Sequence, residues 1–221
     1  MRLRLTTGIT ILVVVLISSC CVLADDSGLK KRGPWSNLTS TRARVEFLEN
    51  PAWKAENQPD RVLKVIGVKP GDVVADVGSG TGLYTFPLAD KVGKNGKVYA
   101  VDILDDMLDY IDRKMKKEGV QNVELVKSSE SDPHLPPSSC DTIIMANTYR
   151  HIGDKLAFFR KLRESLRKGG SIVIISVDRY HKDSETYTKS EQRIISEMKL
   201  AGFDLSHRYV FLNNHHFLIF T

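Results

Sequence analysis

Cysteine is scarce in this chain: there are three in 221 residues. Two of them, Cys20 and Cys21, fall in an apolar N-terminal stretch, which leaves Cys140 alone in the rest. A lone thiol closes no internal disulfide, so the fold is not stapled and must rest on a packed core. Cys140 stands just before a predicted buried strand and reads as a packed or half-exposed thiol, not a nucleophile. Long apolar runs are few as well. The longest, residues 8–23, spans about sixteen residues, short of the ~20 that a membrane-crossing helix needs. Nor does charge of one sign dominate: the net charge is +5, and Arg2 and Arg4 supply two of those charges. The basic runs at 113–117 and 160–163 fall on predicted helices with no aromatic-rich basic stripe beside them. They read as solvated faces, and a nucleic-acid partner is not expected. His215 and His216 are adjacent on a predicted strand and point to opposite faces, so they make no metal pair. No metal site is expected.

What the N-terminus does contain is a targeting pattern. Arg2 and Arg4 precede the apolar centre at 11–17, and Val22-Leu-Ala24 offers small residues for cleavage before Asp25. Residues 1–24 therefore read as a signal peptide or a membrane anchor. Ile17-Ser-Ser-Cys20 resembles a bacterial lipobox, which would place a lipid on Cys20. The expectation is an exported or membrane-associated protein: secreted, periplasmic or a lipoprotein. Residues 25–40 read as a polar linker, in which Asn37-Leu-Thr39 fits a glycosylation sequon. Residues 41–221 are long enough for one α/β domain.

The centre of that domain is Val73-Val-Ala-Asp76-Val-Gly78-Ser-Gly80-Thr-Gly82. A short apolar run, buried on both faces, ends in a carboxylate and breaks into three glycines at alternate positions. Glycine reaches backbone angles that other residues avoid and keeps no side chain between backbone and ligand. A helix is predicted over 83–92, so the loop should present N–H groups at a helix N-terminus. Further strands are predicted at 98–101, 123–126, 141–146 and 172–175, alternating with helices at 105–118, from Asp154 onward, and at 190–201. Asp105 and Asp154 are expected to cap two of these helices. Before the first strand, residues 41–50 read as a helix broken by Pro51, and Pro59 opens another. Strands alternating with helices imply a parallel sheet. Residues 209–212 and 217–220, flanking Asn213-Asn214, imply a closing hairpin.

Together, the glycine run with Asp76 before it, Asp102 twenty residues after Gly82, and the Leu166-Arg-Lys-Gly-Gly170 turn resemble class I S-adenosylmethionine (SAM) dependent methyltransferases. The resemblance covers about residues 62–221. It implies an α/β, Rossmann-like fold: a seven-stranded, mostly parallel sheet with a terminal antiparallel hairpin and helices on both faces. It also implies SAM as cofactor. Asp76 would orient the loop and the methionyl amine, and Gly78, Ser79, Gly80 and Gly82 would line the backbone approach. Asp102 would accept the ribose hydroxyls. Ile103 and Met107 would flank the adenine, with Ser129 and Glu130 at its edge. Relatives often carry Asp-Ala at 129–130, and Lys168 stands where a proline is usual.

The acceptor end should lie after the fourth strand, at Asn147-Thr-Tyr149-Arg150-His151. His151, with an ordinary pKa near 6.5, is a candidate base or else a helix cap. Tyr149 is a candidate pocket wall, Asn147 a candidate contact, and Arg150 a partner for an acidic substrate. Asp178, Arg179, Tyr180 and His181 are second candidates, and Trp53 with the N-terminal helix would form a lid. No Asn-Pro-Pro-Tyr motif follows the fourth strand, and no carboxylate ends it. Metal-independent transfer to a small-molecule acceptor is the reading that remains. Two alternatives stay open: a methyltransferase-like module that binds SAM without turnover, and a nicotinamide-dependent dehydrogenase.

Overall fold

The computed structural model describes residues 40–178 and 184–221. The targeting segment, most of the linker, and Arg179, Tyr180 and His181 lie outside the described residues. Seven strands are present: β1 Val73–Val77, β2 Lys97–Asp102, β3 Val123–Lys127, β4 Cys140–Ala146, β5 Leu166–Val177, β6 Leu205–Tyr209 and β7 His215–Phe220. They form one sheet in the order β3-β2-β1-β4-β5-β7-β6. Strands β1 to β5 pair in parallel, while β7 runs antiparallel between β5 and β6. The pleat sends successive side chains to opposite faces. Ala75, Val77, Tyr99 and Val101 join one core cluster, and Val74, Val98 and Ala100 join the other.

Helices cover both clusters. On one face lie α3 (Pro59–Val65), α4 (Thr85–Val92) and α5 (Asp105–Glu118), contributing Val62, Leu88 and Ile111. On the other lie α6 (Lys155–Ser165) and α7 (Glu185–Leu200), contributing Phe159, Leu162 and Met198. Phe159 is wholly buried, and truncating such a side chain to alanine costs about 3–5 kcal/mol. Cys140 is the first residue of β4 and is also wholly buried; burial raises its thiol pKa, which suits a packing role. Among the described residues, no helix is long and apolar enough to cross a membrane.

Several local expectations are corrected. The first helix does stop ahead of Pro51, but Pro51 also opens a second one. The chain forms α1 (Thr41–Leu48) and then α2 (Pro51–Asn57), with Asn50 capping α2 by accepting the Ala52 N–H at 2.9 Å. Proline suits the first turn because its missing N–H is not needed there. Asp105 is not a cap but the first residue of α5, where its negative charge still complements the helix dipole. Asp154 does cap α6, accepting the Ala157 N–H at 3.0 Å. The Lys168-Gly-Gly170 turn is absorbed as an irregularity in β5, where the register with β4 shifts between Cys140 and Thr142. Helix α7 starts at Glu185, ahead of the predicted 190, because Ser184 caps it.

Candidate active site

The strand order reverses direction at β1, which has β2 on one side and β4 on the other. A crevice opens at such a point, outside the carboxyl ends of the strands. Here it is a cavity of about 590 Å³, within the roughly 300–1,000 Å³ common for small-molecule sites. Its floor is the glycine loop after β1, and its sides come from the ends of β2, β3, β4 and β5. Its roof is the N-terminal helix pair, through Phe47, Leu48, Trp53 and Glu56. The Phe47 and Trp53 rings meet at 5.1 Å between centroids.

Gly78, Gly80 and Gly82 have φ of 77°, 54° and 87°, a region that side chains rarely adopt. Their N–H groups are not free for a ligand, contrary to expectation. Gly78 and Ser79 donate to the Val101 carbonyl at 2.7 and 3.0 Å, and Gly82 donates to Ser79 at 2.8 Å. Gly80 donates to Asp102 Oδ2 at 2.9 Å. Gly78, Ser79 and Gly80 thus bind the loop down onto β2, and the glycines offer bare backbone surface.

Two buried carboxylates stand behind that surface. Asp76 accepts from Thr85 Oγ1 at 2.6 Å. Burial raises its pKa to about 7, opposed by the Thr85 hydrogen bonds and reinforced by the charge of Asp102. Burial also raises Asp102, against the N–H bonds it receives from Leu104 and Gly80. With the Ile103 N–H also acting on the carboxylate, these bonds leave part of its four lone-pair sites for further donors. Ser79 Oγ is buried and without a hydrogen-bond partner, and its residue lines the cavity. A cavity with an unpaired hydroxyl, two buried carboxylates and an exposed backbone floor fits a cationic amine joined to a ribose. The residues present therefore fit SAM.

The other cofactor-side residues gather as expected. Ile103, 42% exposed, and Met107, 1% exposed, both line the cavity, as do Ser129 and Glu130. Ser129 is engaged in a local turn, its Oγ accepting the Asp132 N–H at 3.0 Å. Ser128, beside it, also lines the cavity; it was not singled out in the sequence because a lone serine in a serine-rich loop carries no signal.

At the acceptor end the structure divides the candidates. Residues Tyr149–His151 form a short 3-10 turn, which sends neighbouring side chains in different directions. Arg150 and His151 line the cavity, and Tyr149 does not. Tyr149 is buried in the core against Phe159, with its hydroxyl donating to Glu197. Burial and the Arg150 charge lower the His151 pKa to about 4, so its imidazole is neutral at physiological pH and is a weaker base than its ordinary value suggested. Asn147 lines the cavity, but its amide is occupied: Nδ2 donates to Asn57 Oδ1 at 2.8 Å, and Oδ1 accepts the Val177 N–H at 2.9 Å. Asp178 is placed away from the cavity lining, 3.0 Å from His216 Nε2. Thr148, within the stretch expected to form the acceptor end, lines the cavity directly over Gly78.

The fold and this cavity define a class I SAM-dependent methyltransferase domain. Comparison with known proteins agrees. A crystal structure of a SAM-dependent methyltransferase from Aquifex aeolicus is 30% identical and superposes with a TM-score of 0.72, covering 80% of this chain and 96% of that one. Residues 47–204 match the model of the ubiE/COQ5 methyltransferase family, and the chain belongs to that family. Demethylmenaquinone methyltransferases from Lactococcus lactis and Bacillus velezensis are 26% and 24% identical over 160 and 141 residues, 70% and 64% of this chain. The chain spans 62% and 58% of the length of those two relatives. Family membership favours SAM over a nicotinamide cofactor.

Proposed function

We infer that this protein transfers the SAM methyl group, without a metal, to a small, flat, largely apolar acceptor of the quinol type. The observation that carries the reading is the shared cavity. The glycine loop, Asp76 and Asp102 form one end of it, and Phe47, Trp53, Ile152 and Phe158 line it together with Arg150 and His151. SAM supplies an electrophilic methyl on a sulfonium, and the protein's part is to hold a nucleophile in line with it. Alignment of that kind contributes up to about 7–11 kcal/mol. The aromatic roof suits a ring, and Arg150 and neutral His151 are the polar groups beside it. Asn147 and Thr148, not carboxylates, follow β4, and among the described residues no group of His, Cys, Asp or Glu is arranged to hold a metal ion. The first of these, the residues after β4, is the reason the reading includes no metal. The names of the relatives supply the quinone class of the acceptor.

Incubating the chain with SAM and a panel of short-chain demethylated naphthoquinols, benzoquinols and catechols tests this. The expected result is a methylated naphthoquinol or benzoquinol and S-adenosylhomocysteine, with no loss on adding a chelator. Tight SAM binding with no product from any ring acceptor supports the non-catalytic module instead. The apolar run at 11–17 supports a further part of the reading: residues 1–24 direct the domain to a membrane, where an apolar acceptor dissolves. Deleting them should move the chain from the membrane to the soluble fraction with SAM binding unchanged. A membrane fraction indifferent to the deletion would refute that part.

A further inference from the structure

The roof of the cavity is fastened at a point that the chemistry above does not use. Asn57 is the last residue of α2 and is wholly buried, although it is a polar amide. Three hydrogen bonds account for it. Its Nδ2 donates to the Trp53 carbonyl at 2.8 Å, one turn back in the same helix. Its own carbonyl accepts the Tyr84 hydroxyl at 2.9 Å, from the turn that enters α4. Its Oδ1 accepts Asn147 Nδ2 at 2.8 Å, from the residue just past β4. The next residue, Gln58, is left-handed at φ 43°, so the chain turns sharply from α2 into α3, whose Pro59, Val62 and Leu63 are buried in the core.

Asn147 is itself over-determined. It adopts φ 59°, a conformation that asparagine tolerates better than most residues. Its backbone N–H donates to the Ile175 carbonyl, and its side-chain oxygen holds the Val177 N–H. The amide that remains points at Asn57. The fixed end of the roof is thereby joined to the carboxyl ends of β4 and β5, where the acceptor end of the cavity begins. At the other end of the roof, Leu48 Cδ1 comes within 3.1 Å of the place a Cβ on Gly80 would take, so the roof also rests on the glycine loop.

We propose that Asn57 is a positioning residue for methyl transfer: through its bond to Asn147 it holds α2 and Trp53 closed over the bound cofactor. The inference rests on the reading of the cavity as the SAM site. Without the bond, a buried amide is left without its partner in the closed state only, and the roof opens more often. Cofactor release, which needs an open roof, quickens accordingly.

Stopped-flow release of S-adenosylhomocysteine from the full chain tests this, with Asn57→Ala, Asn147→Gly and the double variant. Glycine at 147 keeps the left-handed backbone unstrained. Each single variant should speed release about tenfold. The double variant should release more slowly than the product of the two single effects, because both changes remove the Asn57–Asn147 bond, while each also removes one bond of its own, to Trp53 or from Val177. Isosteric Asn147→Asp, which sets a carboxylate oxygen against Asn57 Oδ1, replaces Asn57→Ala if that variant does not fold. Release at the wild-type rate with a lowered melting temperature means a purely structural role and overturns the proposal. Effects that add in the double variant overturn it as well. A folded wild-type chain that binds no S-adenosylhomocysteine shows up before any variant is compared; it removes the cofactor reading and the proposal with it.

Discussion

Thr148 occupies the space that a Cβ on Gly78 would need: such an atom would lie 2.0 Å from Thr148 Oγ1 and 2.8 Å from Thr148 Cβ. The first glycine of the loop is therefore required twice over, by its φ of 77° and by the side chain seated on it. The contact joins the cofactor loop to the β4 end, so the two halves of the cavity are set against each other by direct packing. Gly78→Ala should unfold the loop and abolish SAM binding. Adding Thr148→Gly removes the clash and leaves the left-handed strain, about 1–2 kcal/mol. Thermal melts should show a large loss for Gly78→Ala and partial recovery in the double variant. Equal melting temperatures for the two would mean that the contact is not what excludes a side chain.

Asp76 and His151 drive stability in opposite directions with pH. The Asp76 carboxyl is raised from 3.8 to about 7 by burial, so between those values the folded state binds the proton more tightly, and stability falls as pH rises. The His151 imidazole is lowered from 6.5 to about 4 by burial and Arg150, so there the unfolded state binds the proton more tightly, and stability rises with pH. The two windows overlap, and the effects offset. Relative to wild type, Asp76→Asn should therefore gain stability progressively from pH 4 to pH 7. His151→Gln should gain most near pH 4 and lose that advantage by pH 6.5. Chemical denaturation across this range checks both signs, and parallel curves for wild type and both variants would contradict the two assignments.

The free end of the roof is held by Asp106. It accepts from Thr41 Oγ1 at 2.5 Å and pairs with Arg44, and these bonds outweigh the effect of burial to hold its pKa below the ordinary value. Asp106→Ala should loosen α1 at a cost of about 1 kcal/mol. In a Trp35→Phe background, Trp53 fluorescence should then become more accessible to acrylamide. Unchanged quenching would show that α1 stays in place without the pair.

The fold was legible in the sequence where the signal is local and periodic. Buried valine runs, the glycine loop and the Asn213-Asn214 turn each follow from backbone requirements that few residues satisfy, although the strand before that turn is β6 at Leu205–Tyr209 and not 209–212. That Asp76, Gly78, Gly80 and Asp102 line one cavity was legible for the same reason: they lie within one strand–loop–helix–strand unit. The acceptor end was not. Whether Tyr149 or Arg150 faces the cavity depends on the twist of a three-residue turn, which no periodicity reports. The roles of Asn57 and Thr148 depend on residues 90 and 70 positions away in the sequence. The loop's N–H groups were expected to face a ligand, but those of Gly78, Ser79 and Gly80 bond to β2, a pairing visible only once the sheet is formed.

The central claim is that this cavity binds SAM through the Asp102 carboxylate, and calorimetric titration of the wild type and Asp102→Ala with SAM tests it most directly. Losing hydrogen bonds to a charged group costs roughly 1.5–3 kcal/mol. The account predicts binding to the wild type and binding weaker by about one to two orders of magnitude in the variant. Equal affinity in the two proteins, or no heat from a well-folded wild type, would contradict it.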